Sequence, residues 1–281
     1  MRTSASLLAL AALTLALPVG CAGRNSGSDT SGLDSESSAL VDDNAETDDT
    51  EGDVEEGIEE PLSGATVGGE VEVAAADAET IAEKARTNPG VWFKPAGCIV
   101  STRAANVVTH VFTNCTGPWG MASFNGTVIS TWTKIANGVQ VQHVAKGFKV
   151  NGATVDHTVT IQYTKVAGVY TKTRKGASSG TTAKGRAITH NADYVTTFDP
   201  GSKCITRNGS SSTTIGAREY SRSIKGYERC GIGLGGCPKS GTVTLSRPKV
   251  QVELSFPGGQ EVDITVNGKK FRRALFCNAS A

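Results

Sequence analysis

The chain has 281 residues, of which 38% are apolar and 6% aromatic, with 33 Gly and 9 Pro. That composition excludes a coiled coil, a collagen and a multi-span membrane protein, but it selects no activity. Its 28 Lys and Arg against 27 Asp and Glu look balanced, yet the two signs are segregated along the chain.

Residues 1–20 read as an export signal. Met1 and Arg2 open a positive n-region, and Ser6 to Leu17 is an apolar run. The run is too short for a bilayer, which takes roughly 20 residues, and it has the length of a signal h-region. Pro18-Val19-Gly20-Cys21 follows. A small residue before Cys resembles the bacterial lipoprotein cleavage box, which implies Cys21 as the acylated first residue of the mature chain. Pro18 stands where that box carries Leu, and Leu17 lies one step back. Ordinary cleavage nearby, with secretion, is the alternative. Ala22 after the Cys, in place of Asp, points to the outer membrane, with the lipid anchor as the membrane contact.

Residues 21–60 are expected to form an acidic tether. From Ala22 to Glu60 there are 14 acidic residues and one basic, Arg24. Such a segment has too little apolar surface to offset its ordering entropy, and its charges repel and extend it. A second reading has it fold back on its own domain. From Pro89 to Ala281 there are 24 Lys and Arg against 8 Asp and Glu, a net charge of +16. A field of that sign attracts polyanions, such as lipopolysaccharide or an acidic polysaccharide. Nucleic acid is disfavoured because no binding motif accompanies the charge. The plainer reading places Lys134, Lys149, Lys172, Arg174, Lys175, Lys184 and Arg186 along strand edges, where cations discourage edge-to-edge pairing.

Residues 61–88 contain one helix, predicted over Ala74 to Ala85, Ala- and Glu-rich with Asp77 near its start and Asn88-Pro89-Gly90 after it. Residues 89–281 read as one β domain. Asn-Gly occurs at 125–126, 137–138, 151–152, 208–209 and 267–268, a hairpin signal because both positions tolerate φ > 0. Val155, His157, Val159, Ile161 and Tyr163 alternate with Asp156, Thr158, Thr160 and Gln162, and the stretches 250–256 and 262–266 alternate likewise. One apolar and one polar face mark antiparallel strands solvated on one side. About eleven or twelve strands are expected. No helical stretch separates them, which excludes βαβ crossovers. The predicted fold is all-β, an antiparallel meander forming a strongly curved sheet or open barrel, with a β-sandwich as the alternative and the helix as a cover. Around Asn151-Gly152 a simple two-residue loop would put Val141 on the polar face, so a bulge is predicted at Gly147.

Apart from Cys21 there are six cysteines, an even number that suits three disulfides in an exported chain. Spacing pairs Cys98 with Cys115 across a hairpin-like stretch and Cys230 with Cys237 around a Gly-rich loop, leaving Cys204 with Cys277. CxxC spacings are absent, so a metal site is not expected. Nor is a cofactor: Gly231, Gly233 and Gly236 match GxGxxG without its strand–helix context. No catalytic residue is assigned. His110, His143, His157 and His190 lie in strand-like stretches without ligand spacing, and no GxSxG occurs. Trp92, Trp119 and Trp132 would stack a sugar if exposed, although buried Trp is the commoner use.

Asn114-Cys115-Thr116-Gly117-Pro118-Trp119-Gly120, Arg229-Cys230, Cys237-Pro238-Lys239-Ser240-Gly241, Val266-Asn267-Gly268-Lys269-Lys270-Phe271 and Leu275-Phe276-Cys277 form a set with the Cys21 box and the acidic spacer. The set resembles uncharacterised predicted lipoproteins of myxobacterial type. That resemblance covers most of the β domain, but it implies no activity. The function expected is binding, not catalysis: an anchored lipoprotein presenting a basic β domain to a polyanionic glycan, lipopolysaccharide or a protein. Two alternatives stand beside it. One is a carrier of an acyl chain or other apolar ligand in a half-open barrel; the other is a hydrolase, which would need His, Ser and an acid to converge.

Overall fold

The computed structural model describes residues 34–64, 77–87, 89, 92–117, 120, 122–231, 237–275 and 277. The signal (1–20), Cys21, residues 22–33 and Trp119 lie outside them. Thirteen antiparallel strands form one unclosed sheet in which each strand pairs with the next in the chain. They are β1 (Ile99–Ala104), β2 (Val107–Thr116), β3 (Ser123–Ile135), β4 (Gly138–Val150), β5 (Ala153–Val166), β6 (Val169–Thr181), β7 (Ala187–Asp199), β8 (Cys204–Ile215), β9 (Arg218–Cys230), β10 (Pro238–Arg247), β11 (Val250–Ser255), β12 (Glu261–Val266) and β13 (Lys269–Ala274). This is the all-β meander read from alternation and turns, with one or two more strands than that reading counted.

Turn chemistry explains the connections. Asn151 and Gly152 have φ of 47° and 87°, and Asn267 and Gly268 have 48° and 84°. Both residues positive is the turn whose twist matches the flanking strands. Two of the five Asn-Gly pairs make no turn. Asn125-Gly126 and Asn208-Gly209 lie inside β3 and β8, where the register shifts between Asn125 and Val128 and between Arg207 and Gly209. There the same tolerance for unusual φ serves a bulge. The expected bulge at Gly147 is present: pairing slips between Ala145 and Phe148, and Gly147 has φ +56°. Val139 and Val141 are thereby returned to the buried face.

Helix α2 (Ala78–Thr87) begins at Asp77, whose carboxylate accepts from the Thr80 amide at 2.7 Å. Its Ile81, Ala82 and Ala85 cover Val108, Trp132, Val139, Val141, Val159 and Ile161, so it serves as the expected cover over part of the sheet. The larger cover is the acidic stretch, which folds back on its own domain as in the second reading. Ser35–Val54 is an α-helix, α1, and Glu55–Gly64 continues it as a π-helical stretch, π1. The expectation of a disordered tether over 21–60 is corrected for residues 35–60. Apolar burial is confined to a few residues of this stretch; elsewhere its buried carboxylates are matched by cations of the β domain.

The disulfide pairing is also corrected in part. Cys98–Cys115 is formed as expected, but Cys204 joins Cys230 and Cys237 joins Cys277. The reason is register: Cys204 and Cys230 are direct cross-strand partners in β8 and β9, a pairing that spacing around the 231–236 loop does not reveal.

Candidate functional site

The inner face of the sheet is unusual in its middle strands. The residues of β6 that share a face are Lys172, Arg174, Gly176, Ser178 and Gly180, and those of β8 are Gly209, Ser211, Thr213 and Ile215. Small and basic side chains leave a trough instead of a filled apolar core. Helix α1 lies in that trough and meets β4, β8, β10 and β11.

Local capping starts the helix. Asp34 accepts from the Ser37 amide at 2.8 Å, which satisfies one orphan donor of the first turn. Beyond that, Ser, Thr, Asp, Asn and Gly52 are weak helix formers. Its buried face is almost wholly polar: Asp43, Asn44, Glu46, Thr47, Thr50 and Glu51, with only Leu40 and Val54 apolar. These carboxylates find cations on the sheet. Asp43, fully buried, meets Arg186 (2.8 Å), Arg218 (2.6 Å) and Arg247 (3.2 Å). Glu46 meets Arg186 at 2.6 Å and Lys184 at 3.4 Å. Asp48 meets Arg222 at 2.7 Å.

The row continues into π1. Glu55 meets Lys172 at 3.1 Å, and Glu59 meets Arg174 at 2.7 Å, the latter pair being almost wholly out of water. Arg174 binds Glu59 through both Nε and Nη2, the two-point geometry that guanidinium offers a carboxylate. Burial alone would raise the Glu59 carboxyl, but the Arg174 charge and the hydrogen bonds from His157 and Arg174 outweigh it and hold it well below the usual range. Glu46 and Glu55 are lowered for similar reasons, against their own desolvation. At Asp48 burial wins over Arg222, and its carboxyl is raised.

Next to the acidic contacts, the end of α1 and π1 make an apolar one. Val54, Ile58 and Leu62 recur at four-residue intervals and enter a cup formed by Phe93, Phe112, Phe124 and Phe148. Phe93 and Phe112 meet edge to face with centroids 5.2 Å apart. Gly57 packs directly on Phe124; a Cβ there would fall 2.0 Å from the ring.

All four histidines are buried on this inner face, and each shares a hydrogen bond through Nδ1 with a hydroxyl on the neighbouring strand. The pairs are Ser101–His110, Ser130–His143, Ser178–His157 and Thr213–His190, each at 2.8 Å. Burial pushes His110 down to about 4 and His143 to about 3, and lowers His190. The His157 Nε2 lies 3.2 Å from Glu59, so Ser178, His157 and Glu59 stand in the order of a hydrolytic triad. Ser178 also donates to Glu51 at 3.2 Å. The array is sealed beneath the acidic segment, and a substrate could reach it only if that segment left, taking Glu59 with it.

Of the tryptophans that would stack a sugar if exposed, Trp132 is fully buried under α2, which removes it, while Trp92 is exposed. A buried indole offers no face to a sugar. The expectation that basic residues sit at strand edges fails at Lys172, Arg174, Lys184 and Arg186, which meet the acidic segment, and Arg222 and Arg247 join them there. What the sequence did carry was the interval Val54, Ile58, Leu62, with acids at 51, 55 and 59 beside it. Among the described residues no helix is long and apolar enough to cross a membrane. No protein-family model, no curated protein and no solved structure matches this chain.

Proposed function

We propose that the protein is an exported lipoprotein, anchored through Cys21, whose inner sheet face binds a polyanion, with the acidic segment α1–π1 as an internal occupant that the ligand displaces. One observation carries this reading: Arg174, Arg186, Arg218, Arg222 and Arg247 converge on one trough, and a single contiguous acidic segment neutralises them. Ion pairs taken from water contribute little net stability, because desolvation offsets their attraction. Exchanging one polyanion for another therefore changes little in free energy, and the ligand competes mainly with the effective concentration of a covalently linked occupant. Six paired cysteines support an oxidising compartment outside the cytoplasm. Binding is favoured over hydrolysis because opening the Ser178–His157 pair to substrate would remove its acid.

Heparin titration at two salt concentrations tests this. The variant Asp43→Asn/Glu46→Gln/Asp48→Asn weakens the occupant and is expected to bind heparin roughly tenfold more tightly than the native chain. Both affinities should fall steeply with added salt, as when cations on a protein replace the counterions of a polyanion. Equal affinity of the two proteins, or binding indifferent to salt, overturns the proposal.

A further inference from the structure

The acidic segment makes two kinds of contact side by side, and together they describe a ligand. Ile58 enters the phenylalanine cup, while Glu59, the next residue, meets Arg174 and His157. We propose that the trough takes an amphiphile with an acyl chain and a phosphate-type anionic head, the chain in the cup of Phe93, Phe112, Phe124 and Phe148 and the head along the arginine row. This deepens the anion-binding reading above and rests on it.

Three observations support the step from polyanion to amphiphile. The cup is filled by aliphatic side chains delivered from the displaceable segment, not by residues of the sheet alone. Removing α1–π1 therefore bares apolar surface together with cations, and a purely hydrophilic glycan would leave the four rings in water. At about 25 cal/mol per Å² of apolar surface, that exposure opposes displacement by such a ligand. An acyl chain replaces Val54, Ile58 and Leu62 in kind.

The head is inferred from donors the carboxylates do not reach. Arg222 Nε and Nη2 and Arg247 Nε are buried and have no acceptor among the described residues, although Arg222 Nη1 and Arg247 Nη2 each hold an aspartate. Both side chains are more than nine-tenths buried. A carboxylate presents two oxygens in one plane. A phosphate presents three or more in a tetrahedral array and suits guanidinium donors that diverge. Buried donors left without acceptors cost stability in the closed state, and a ligand that satisfies them recovers it.

The test uses the full mature chain and its Gly57→Val variant, in which the new side chain meets the Phe124 ring and unseats π1 from the cup. Dodecyl phosphate below its micellar concentration is titrated by calorimetry, with inorganic phosphate, dodecyl maltoside and heparin in parallel. Limited proteolysis within 35–64 reports displacement, and circular dichroism reports the sheet. Dodecyl phosphate is expected to bind the native chain at least tenfold more tightly than inorganic phosphate or dodecyl maltoside and to make 35–64 cleavable. It should bind Gly57→Val about tenfold more tightly again. If Gly57→Val loses the sheet signal, Ile58→Ser, which removes an aliphatic plug without steric conflict, takes its place. Dodecyl phosphate binding no better than inorganic phosphate, while heparin still binds, overturns the acyl site and leaves anion binding standing. Failure of every anion to bind overturns both.

Discussion

His110 and His143 are held neutral by burial, at about 4 and about 3, and His190 is lowered in the same direction. In the unfolded chain they take up protons near 6.5, the ordinary histidine value. Between these limits the unfolded state binds more protons, so stability rises with pH and is lost as pH falls below about 6.5. At pH 5 the loss is about 2 kcal/mol for each of His110 and His143, since a tenfold change in proton affinity is worth about 1.4 kcal/mol. Glu46, Glu55 and Glu59, lowered in the folded state, extend the loss below their ordinary range near 4.5. Asp48, raised by burial, opposes it weakly. Stabilities from urea denaturation at pH 7.5 and 5.0 should therefore differ by several kcal/mol. A His143→Asn variant, which keeps a polar side chain near Ser130, should show the smaller difference. A flat profile in the native protein would refute the burial of these rings. Sequence placed the histidines on strands, and at His157 on the apolar face. It did not show that a hydroxyl on the adjacent strand meets each one, because that depends on cross-strand register.

At the scale of elements, α1–π1 is held to the sheet by charge along its length, from Asp43 to Glu59, and by the phenylalanine cup beside the π1 ion pairs. Arg174 and Glu59 are the most completely buried pair of the row. Removing one partner, as in Glu59→Gln or Arg174→Met, leaves an uncompensated buried charge or unmatched donors. That should cost about 3–5 kcal/mol of folding stability. Replacing both by apolar residues, Arg174→Met/Glu59→Met, should restore most of the loss, because the desolvation of two ions disappears with them. The double-mutant cycle is read from denaturation midpoints. Additive losses would mean that the two side chains do not interact. The segment itself was legible as acidic but not as helical. Its apolar periodicity is confined to Val54, Ile58 and Leu62, and its polar face is buried, which inverts the usual pattern of an amphipathic helix.

For the whole molecule, an unclosed sheet of thirteen described strands has β1 and β13 at its two edges and a long chain to order. Cys98–Cys115 ties its first strands, and the other two disulfides tie its later half. Cys237 and Cys277 lie 40 residues apart in sequence and join the start of β10 to the residues after β13. In the chain-entropy account such a loop is worth about 4 kcal/mol. The Cys237→Ser/Cys277→Ser variant should lose about that much, and non-reducing peptide mapping of the native protein should recover Cys204 with Cys230 and Cys237 with Cys277. Recovery of a Cys230–Cys237 peptide would contradict the register of β8 and β9.

By itself the sequence determined the things that are local. Alternation with period two specified antiparallel strands, positive-φ turn residues specified hairpins, and a clash of faces around Asn151-Gly152 specified the bulge at Gly147. The segregation of charge was equally visible, as was the even cysteine count. Only the tertiary structure decided which cysteines pair, because β8 and β9 bring together residues that a loop separates. It also decided that the acidic stretch is a folded part of the domain. A helix of that composition has little propensity of its own, and the cations that meet it come from β6, β9, β10 and the connection between β6 and β7, 204 residues away in the Asp43–Arg247 pair. Electrostatic complementarity over such separations appears only when the sheet has assembled.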